Sequence, residues 1–389
     1  MTRVLELSAQ AAGGVRAHIR QVSQLLAKDG HQVLLAGPSN VILPAPGVVG
    51  GACLRTYQID IGARPSGADL KALRQLKQLA TTAQVIHAHG LRAGALAVLA
   101  AKRLPAAKRP RVVVTLHNLP VGSAPTRLVG KALHLVVVKG ADYVLTVSPD
   151  LLEKAKQLGL KTGEIAVVPA PARGCADYGC MDRATQPEIS QDSAQSLDAG
   201  SGVDSGSGPG ASSAASSKAA PCLLTIARLA PQKGLDLLLE AATLIKQRGI
   251  DFTWLVAGDG PLKAQLNQQI ATADLPVKLL GRREDIGALL SQADVVVQTS
   301  YWEGQPLTLR EAMQAGRAIV ATDVGGSAYT LAGCGQLVEP QAGPLADAVV
   351  AVITNPQRRE TLEAASRAAV AKIPGETQLR EQLDRVLAL

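Results

Sequence analysis

The sequence predicts an α/β protein made of two doubly wound, Rossmann-like domains that face each other across a cleft, with a disordered insertion between them. Three observations predict it. The chain has 389 residues, enough for two domains. Hydrophobic residues make up 47% of it and charged residues 19%, as in ordinary globular proteins. Short apolar runs alternate with helical patterns in both halves, which is typical of parallel sheets covered on both faces.

Residues 1–172 form the predicted N-terminal domain. Their apolar runs are short and bounded by polar residues, glycine or proline, as buried strands are. One segment places Ile19, Val22, Leu25 and Leu26 at the spacing of a single helix face. Strands are predicted at residues 3–7, 32–36, 85–87, 112–116, 143–147 and 165–168, and helices at residues 15–29 and 69–80.

Residues 220–375 form the predicted C-terminal domain, where the same alternation returns. Strands are predicted at residues 223–226, 253–257, 277–280, 294–298, 318–321 and 335–338, and helices at residues 235–248 and 262–273. A final helix in residues 376–389 is expected to pack back towards the N-terminal domain. Ligands bind at the carboxyl ends of parallel strands, so two such domains would enclose a cleft.

The two halves are separated by a stretch of low complexity. In residues 190–217, 20 of 28 positions are Ser, Gly or Ala. Such a stretch buries too little apolar surface to offset its ordering entropy. We therefore predict a flexible, disordered linker at residues 173–219.

Charge is divided unevenly between the halves. Residues 1–172 carry 21 Lys and Arg against 8 Asp and Glu, whereas residues 173–389 carry 19 against 24. The basic half indicates an anionic partner, namely nucleic acid, an anionic membrane surface or an acidic substrate; solubility alone is the alternative. Aromatic residues are only 2% of the chain, too few for base-stacking platforms, so we expect no nucleic acid.

Basic side chains cluster on two segments of the N-terminal half. Residues 69–80 place Lys71, Arg74 and Lys77 beside a leucine stripe, a pattern that suits an anionic membrane surface. An ordinary core-facing helix with a solvated basic face is the alternative, and we favour it. Arg127, Lys131 and Lys139 form a second basic stretch with the same two interpretations.

Several absences narrow the expected class. The chain has no apolar run of the ~20 residues that cross a bilayer, and its start lacks the layout of a signal peptide. Five cysteines without metal-type spacing fit a reducing compartment, so a cytoplasmic protein is predicted. No Asp-x-Asp pair and no zinc-type spacing occur, so we expect no metal. His87 and His89 alternate along a strand, and we expect one to point inward and the other outward.

Three motifs carry candidate chemistry. Gly13 and Gly14 follow the first strand, where a backbone approaches a ligand closely and a helix N-terminus favours anions. A tight turn is the alternative interpretation for these glycines. Arg228 and Lys233 share a loop after another strand, an arrangement that suits a diphosphate; two solvated cations are the alternative.

The third motif runs from Glu303 to Glu311. Two carboxylates lie eight positions apart around a turn that contains Gly304 and Pro306. Proline is favoured at the first position of a helix, so a helix is predicted to begin near Pro306 with its free amides at the cleft. A pair of exposed acids is the alternative.

Together these motifs resemble those of the retaining nucleotide-sugar glycosyltransferases of the GT-B fold, family four. The supporting stretches occur in the family's order: AGGV at 12–15, HAHG at 87–90, TLHN at 115–118, TVSPDL at 146–151, VAGDGPL at 256–262 and TDVGGS at 322–327. Two departures occur. The family's Asn-Gly-Val-Asp after a Val-Val-Pro stretch is replaced by Ala-Pro-Ala-Arg and the insertion, and no acid follows Gly326 closely.

The resemblance implies a role for each matching residue. Arg228 and Lys233 would bind the donor diphosphate, Glu303 would face the donor sugar, and Glu311 would bind the ribose hydroxyls. His117 would contact the sugar and stabilise positive charge that develops on it. The resemblance also implies no divalent metal. The remaining donor-binding residues that it implies are Gly13, Gly14, Gly258, Arg282, Gly304, Gln305, Pro306 and Leu307.

The sequence thus predicts an enzyme that moves a hexosyl or N-acetylhexosaminyl group from a UDP- or GDP-sugar to a hydroxyl acceptor, with retention. An anionic or lipid-linked acceptor at the inner face of the plasma membrane, in the making of a cell-envelope glycan, fits the basic half. A sugar-nucleotide epimerase and a non-catalytic sugar-nucleotide-binding adaptor are the alternatives. Neither alternative would transfer sugar to an acceptor.

Overall fold

A computed structural model describes residues 1–11, 13–42, 53–62, 67–118, 124–170 and 220–389, the side chains of residues 124–127 excepted. The insertion predicted at residues 173–219 lies outside the described residues. Within them the chain forms two α/β domains, each built on one parallel sheet.

The N-terminal domain carries a seven-stranded sheet in the order β3-β2-β1-β4-β5-β6-β7. Its elements are β1 (Arg3–Ser8), α1 (Gly13–Lys28), β2 (Gln32–Gly37), α2 (Ser39–Ile42), β3 (Leu54–Gln58), α3 (Ala68–Ala80), β4 (Val85–His89), α4 (Leu91–Lys102), β5 (Arg111–Leu116), α5 (Ala124–Gly140), β6 (Tyr143–Thr146), α6 (Pro149–Gln157) and β7 (Gly163–Ile165). The short polar strand β3 was missed by the sequence analysis, because its side chains are mostly exposed at the sheet edge and give no apolar run.

The C-terminal domain carries a six-stranded sheet in the order β10-β9-β8-β11-β12-β13. Its elements are β8 (Cys222–Ile226), α7 (Leu235–Gln247), β9 (Thr253–Ala257), α8 (Lys263–Thr272), β10 (Val277–Gly281), α9 (Ile286–Gln292), β11 (Val295–Gln298), α10 (Leu307–Gln314), β12 (Ala318–Thr322), α11 (Ser327–Leu331), β13 (Gln336–Val338), α12 (Ala342–Ile353), α13 (Pro356–Ala369) and α14 (Glu376–Leu387).

All strand pairs in both sheets are parallel. Each sheet is covered by helices on both faces, which explains why its central strands read as unbroken apolar runs. The strand order reverses between β1 and β4 in one sheet and between β8 and β11 in the other. Doubly wound folds open a crevice at such reversals, at the carboxyl ends of the strands.

The last helix, α14, packs on the N-terminal domain. Its buried Leu379 and Leu383 join the apolar cluster that contains Val4 of β1 and Val22 of α1. The Arg111 guanidinium donates from Nε to the carbonyl of Val386 at 2.9 Å. The C-terminal end of the chain therefore completes the core of the first domain. Among the described helices, none has the length and apolar character that crossing a bilayer requires.

Candidate functional site

The carboxyl ends of β8 and β11 bring Lys233 and Glu303 together. Lys233 lies in a short turn after β8, and its ammonium Nζ is 2.6 Å from Glu303 Oε1. The Ser300 hydroxyl donates to the same carboxylate oxygen at 2.6 Å. The carboxylate side chain is only 8% exposed and the lysine side chain 22%. A buried carboxylate needs such partners, so the pair fixes the position of Glu303 at the base of the crevice.

Gly234 makes this pairing possible. It adopts φ of +60°, and a Cβ there would lie 2.0 Å from the carbonyl oxygen of Thr299. Only glycine fits a left-handed position with a neighbouring backbone this close. The Lys233 turn therefore lies directly against the chain that leads to Glu303.

Glu303 is followed by the helix that the proline predicted. Pro306 is the N-cap residue of α10, and Leu307 is the first residue of the helix. Glu311 lies in its second turn, 9% exposed. The first amides of a helix lack internal partners, so this end of α10 suits an anion. The side chain of Gln305 donates to the carbonyl of Ala166 in the N-terminal domain at 2.7 Å, which connects the start of α10 to the other domain.

Three further loops lie side by side at the ends of β8, β9 and β10. Gly258 lies so close to the Arg228 loop that a Cβ would be 1.8 Å from the carbonyl oxygen of Ala227. The amide of Gly258 donates to the carbonyl of Gly281, the residue before Arg282, at 2.8 Å. Arg228 and Arg282 are exposed, and no acidic side chain among the described residues pairs with either. These loops bring two unpaired guanidinium groups to one edge of the sheet.

The two domains meet where the predicted residues lie. A Cβ on Gly304 would be 2.5 Å from Val147 Cγ2 and 3.6 Å from the carbonyl oxygen of His117. Gly14 at the start of α1 lies opposite Leu307, and a Cβ on Gly14 would be 3.2 Å from Leu307 Cδ1. Gly13, its neighbour, has φ of +55° and is exposed. The glycine loop of the first domain thus faces the helix N-terminus of the second.

A buried polar cluster in the N-terminal domain was missed by the sequence analysis. His87 Nδ1 lies 3.0 Å from Glu6 Oε1, and His89 Nε2 lies 2.7 Å from Glu6 Oε2. The expectation that His87 and His89 point in opposite directions was wrong. Residues two apart on a strand share a face, and Glu6 of β1 lies beside that face of β4.

The cluster reaches the crevice through His117. His89 Nδ1 lies 3.2 Å from His117 Nε2, and the ring of His18 packs within 6.1 Å of His89 and 6.0 Å of His117, between centroids. All of these side chains are buried. The spacing of the histidines does not indicate the cluster, but Glu6, a charged residue inside the apolar run of β1, is a signal of it in the sequence.

Burial and charge set the ionisation of this cluster. Burial raises the pKa of Glu6, but the charge of His87 and hydrogen bonds from both imidazoles outweigh burial and lower that pKa to about 2. Burial, reinforced by neighbouring imidazoles, lowers the pKa of His18 to about 3 and that of His89 to about 4. The same causes hold the pKa of His117 well below its ordinary value.

The ionised carboxylate fixes the histidine tautomers. A carboxylate only accepts hydrogen bonds, so His89 carries its proton on Nε2. Neutral His89 then accepts at Nδ1, and the donor to it is the Nε2–H group of His117. Consequently His117 keeps an unprotonated Nδ1, an acceptor for a hydroxyl group.

Glu6, His87 and His89 also place one ligand atom each within 4.8 Å of one another, a spacing at which a metal ion can be held. Both carboxylate oxygens are already bound by imidazole N–H groups in the structure. We therefore interpret the cluster as hydrogen-bonded, with Glu6 as its anion.

Comparisons with known proteins agree with this architecture. Residues 13–171 match the family described as Glycosyl transferase 4-like domain, and residues 220–355 match the family described as Glycosyl transferases group 1. The chain belongs to the group 1 glycosyltransferases. The resemblance drawn from its motifs is thereby confirmed at the level of the family.

Relatives of this group 1 glycosyltransferase include the amylovoran biosynthesis glycosyltransferase AmsK of Erwinia amylovora, 38% identical over 114 residues, 27% of this chain and 28% of AmsK. The UDP-Gal:alpha-D-GlcNAc-diphosphoundecaprenol alpha-1,3-galactosyltransferase of Escherichia coli is 35% identical over 108 residues, 26% of this chain and 28% of that enzyme. The chain therefore matches less than a third of the length of these curated relatives.

Solved structures extend the likeness to the whole fold. HepE of Anabaena, in complex with UDP and glucose, superposes with a TM-score of 0.70 over 100% of both chains at 19% identity. At that identity the likeness concerns the fold, and this group 1 glycosyltransferase has the GT-B fold that its sequence predicted.

The depressed histidine pKa values predict acid sensitivity. Unfolded His18 binds a proton near pH 6.5, whereas folded His18 binds one only near pH 3. The unfolded state thus holds more protons in that window, and stability falls as the pH drops below about 6.5. Between pH 6.5 and pH 5, urea unfolding should show that the native chain loses about 1–2 kcal/mol more than His18→Gln does.

His31→Gln, which removes a partly exposed histidine, serves as the matched control and should follow the native chain. Identical pH dependence in the native chain and His18→Gln would contradict the low folded-state pKa.

Proposed function

We propose that this protein transfers a hexosyl or N-acetylhexosaminyl group from a UDP- or GDP-sugar to a hydroxyl acceptor, with retention and without a divalent metal. The pairing of Lys233 with Glu303 at the switch point of the C-terminal sheet carries the proposal. It joins a cation for a diphosphate to a buried carboxylate for a sugar, in a chain of the group 1 glycosyltransferases.

The donor diphosphate would lie between the Arg228 loop and the N-terminus of α10. Arg228 is exposed and has no acidic partner among the described residues, so its charge remains for a phosphate. Lys233 is the second cation, and the amides around Gln305, Pro306 and Leu307 offer donors. As the glycosidic bond breaks, negative charge grows on the diphosphate, and these groups stabilise it. They would thus stabilise the charge that a metal ion stabilises in other transferases.

Glu303 would face the donor sugar, as the family resemblance implies, and Ser300 and Lys233 would hold its carboxylate in one orientation. Glu311, one helical turn deeper, would bind the ribose hydroxyls. Arg282, beside Gly258 and Gly281, would lie against the base. HepE, which shares the fold, was crystallised with UDP and glucose, which supports a nucleotide-sugar donor in this crevice.

Donor screening in the presence of EDTA tests the proposal. UDP- and GDP-sugars are offered to the purified protein, and thermal stabilisation, hydrolysis and transfer are measured. We expect one donor to stabilise the protein and to be hydrolysed slowly. Lys233→Ala and Glu303→Gln should each lower kcat/KM by about 100-fold or more, because each removes a preorganised charged group.

Lys246→Ala is the matched control, since Lys246 is an exposed lysine whose partner, Asp274, lies away from the crevice. Full activity in Lys233→Ala and Glu303→Gln, or a requirement for metal, would overturn the mechanism. An epimerised nucleotide sugar as the product would favour the epimerase, and binding without turnover would favour the adaptor. Proton NMR of the product gives its anomeric configuration, and inversion would exclude retention.

The cluster beneath His117 supports its proposed role. An unprotonated Nδ1 accepts a hydrogen bond from a sugar hydroxyl, and the buried Glu6 charge stabilises positive charge that develops nearby. Glu6 acts through His89 and does not reach the crevice itself. We therefore propose Glu6 as a positioning residue for His117.

Glu6→Gln tests this role. A glutamine side chain has one acceptor and one donor group, so it cannot accept from both His87 and His89, and one imidazole must change tautomer. We expect kcat to fall at least about 10-fold with little change in KM for the donor. Histidine ¹⁵N spectra should show the tautomer change, either at His87 or at His89 together with His117, which is hydrogen-bonded to it.

His134→Gln provides the control, because His134 is a buried histidine of α5 outside the cluster. It should change neither kcat nor the signals of His117. Native kcat and an unchanged His117 tautomer in Glu6→Gln would show that the cluster is only structural.

A lipid-linked acceptor at an anionic membrane fits a second surface of the N-terminal domain. The Escherichia coli relative is named for a diphosphoundecaprenol acceptor. Leu70 of α3 is 66% exposed, and Leu128 and Val129 of α5 are 71% and 41% exposed. Helices that follow parallel strands begin at the carboxyl edge of the sheet, so these side chains lie on the crevice side.

The same two helices carry exposed basic residues: Lys71 and Arg74 on α3 and Lys131 on α5, with Lys77 and Lys139 farther along, in the last turns. The side chain of Arg127 lies outside the described part. Apolar side chains among cations are typical of peripheral contact with anionic lipid.

Flotation with phosphatidylglycerol vesicles tests the membrane contact. The native protein should bind them and should not bind phosphatidylcholine vesicles. Leu128→Ser with Val129→Ser should lower the bound fraction about threefold or more, because apolar area is lost from the contact. An unchanged Tm would verify folding of the variant. Equal binding to both lipids, or to neither, would exclude this surface.

A further inference from the structure

Arg310 is a buried cation without an anion. It lies on α10, is 2% exposed, and forms no ion pair with any described acidic residue. One guanidinium nitrogen donates to the side-chain oxygen of Gln305, and Nη1 is buried without a hydrogen-bond partner. Burial lowers the pKa of Arg310 to about 10, although Tyr329 opposes it, so the group stays charged at neutral pH. A buried charge in this state is unfavourable unless something compensates it.

A cavity of about 170 Å³ lies beside this guanidinium, between α10, α11 and the turn before α14. Thr330 lines it, and its Oγ1 is a second buried polar atom that has no partner among the described residues. Lys372 and the hydroxyl-bearing Tyr329 line it too, and no acidic side chain is among its lining residues. The lining thus combines two buried polar groups without partners, on Arg310 and Thr330, with two exposed residues at the rim, Lys372 and Tyr329.

We infer that this cavity binds a phosphate group, either as inorganic phosphate or as the phosphate of a small organic phosphomonoester. A tetrahedral dianion accepts several hydrogen bonds at once, and guanidinium, ammonium and hydroxyl groups are the donors that it favours. It would neutralise Arg310 and satisfy the orphaned nitrogen and the Thr330 hydroxyl. The wall formed by Met313, Ile373 and Pro374 leaves room for an apolar remainder of the ligand.

The cavity is connected to the crevice by one chain of hydrogen bonds. Arg310 donates to Gln305, and Gln305 donates to the Ala166 carbonyl in the other domain. A phosphate that steadied Arg310 would also steady the segment between Glu303 and α10. The proposed site is thus a second anion-binding site, which binds phosphate next to the proposed donor crevice.

Thermal unfolding with inorganic phosphate tests the inference. About 10 mM phosphate should raise Tm by about 2–4 °C relative to sodium chloride at equal ionic strength, because a ligand that binds only the folded state stabilises it. The double variant Arg228→Ala with Lys233→Ala should keep this shift, which separates the cavity from the proposed donor site. Arg310→Met should lose the shift.

Arg310→Met should unfold at the same or a higher temperature than the native chain without phosphate, because the uncompensated charge is gone. Thr330→Val and Lys372→Met should each reduce the shift, and they keep the test decisive if Arg310→Met fails to fold. Arg248→Met, on an exposed arginine paired with Asp347, is the control and should respond like the native chain. No shift in the native chain, or a full shift in all three cavity variants, would overturn the inference.

Discussion

Parallel strands end at one edge of their sheet, and the rest of this molecule depends on that constraint. The strand order reverses beside β1 in one sheet and beside β8 in the other. The loops after these strands cannot pack over one another there, so they open into a shared crevice. The glycine loop, the Lys233 turn, the Glu303 segment and His117 all lie at such strand ends. Their distance in sequence has no bearing on their distance in space.

At these strand ends, buried charged groups and their hydrogen-bond partners hold the site side chains in position. Lys233 and Ser300 bind one oxygen of Glu303, and His87 and His89 bind both oxygens of Glu6. A buried carboxylate is tolerated only with such partners, and they fix its orientation. Arg310 is the exception, because among the described residues its guanidinium bonds only to the neutral side-chain amide of Gln305. The carboxylates of Glu303 and Glu6 are thus compensated by neighbouring groups, whereas the charge of Arg310 beside the proposed phosphate cavity is not.

Contacts between the domains are built from small residues and single polar bonds. Gly304 lies against Val147, Trp302 donates to Asp150 at 2.8 Å, and Gln305 donates to Ala166. The helix α14 adds a larger apolar contact with the first domain. Residues 302–307, which include the site residues predicted at 303–307, therefore also contact the other domain. A ligand bound to this segment would therefore affect the contacts between the two domains.

Local patterns in the sequence predicted much of this structure. Apolar runs predicted the central strands of both sheets, helical spacing predicted α1 and α3, and Pro306 predicted the start of α10. Each of these features depends only on residues that are neighbours in sequence. The resemblance of the motifs predicted the family and the GT-B fold. The edge strand β3 left no apolar run and was missed.

The sequence by itself determined the fold class and the strand ends at which chemistry is expected, because hydrophobic period and turn residues act over short range. Its motifs carried the resemblance to the family. Only the tertiary structure decided which side chains meet. Glu6, His87, His89 and His117 lie on three separate strands or their ends, and the pairing register of those strands brings them together. The unpaired charge of Arg310 is equally invisible in sequence, because a missing partner can be recognised only when every neighbour in space is known.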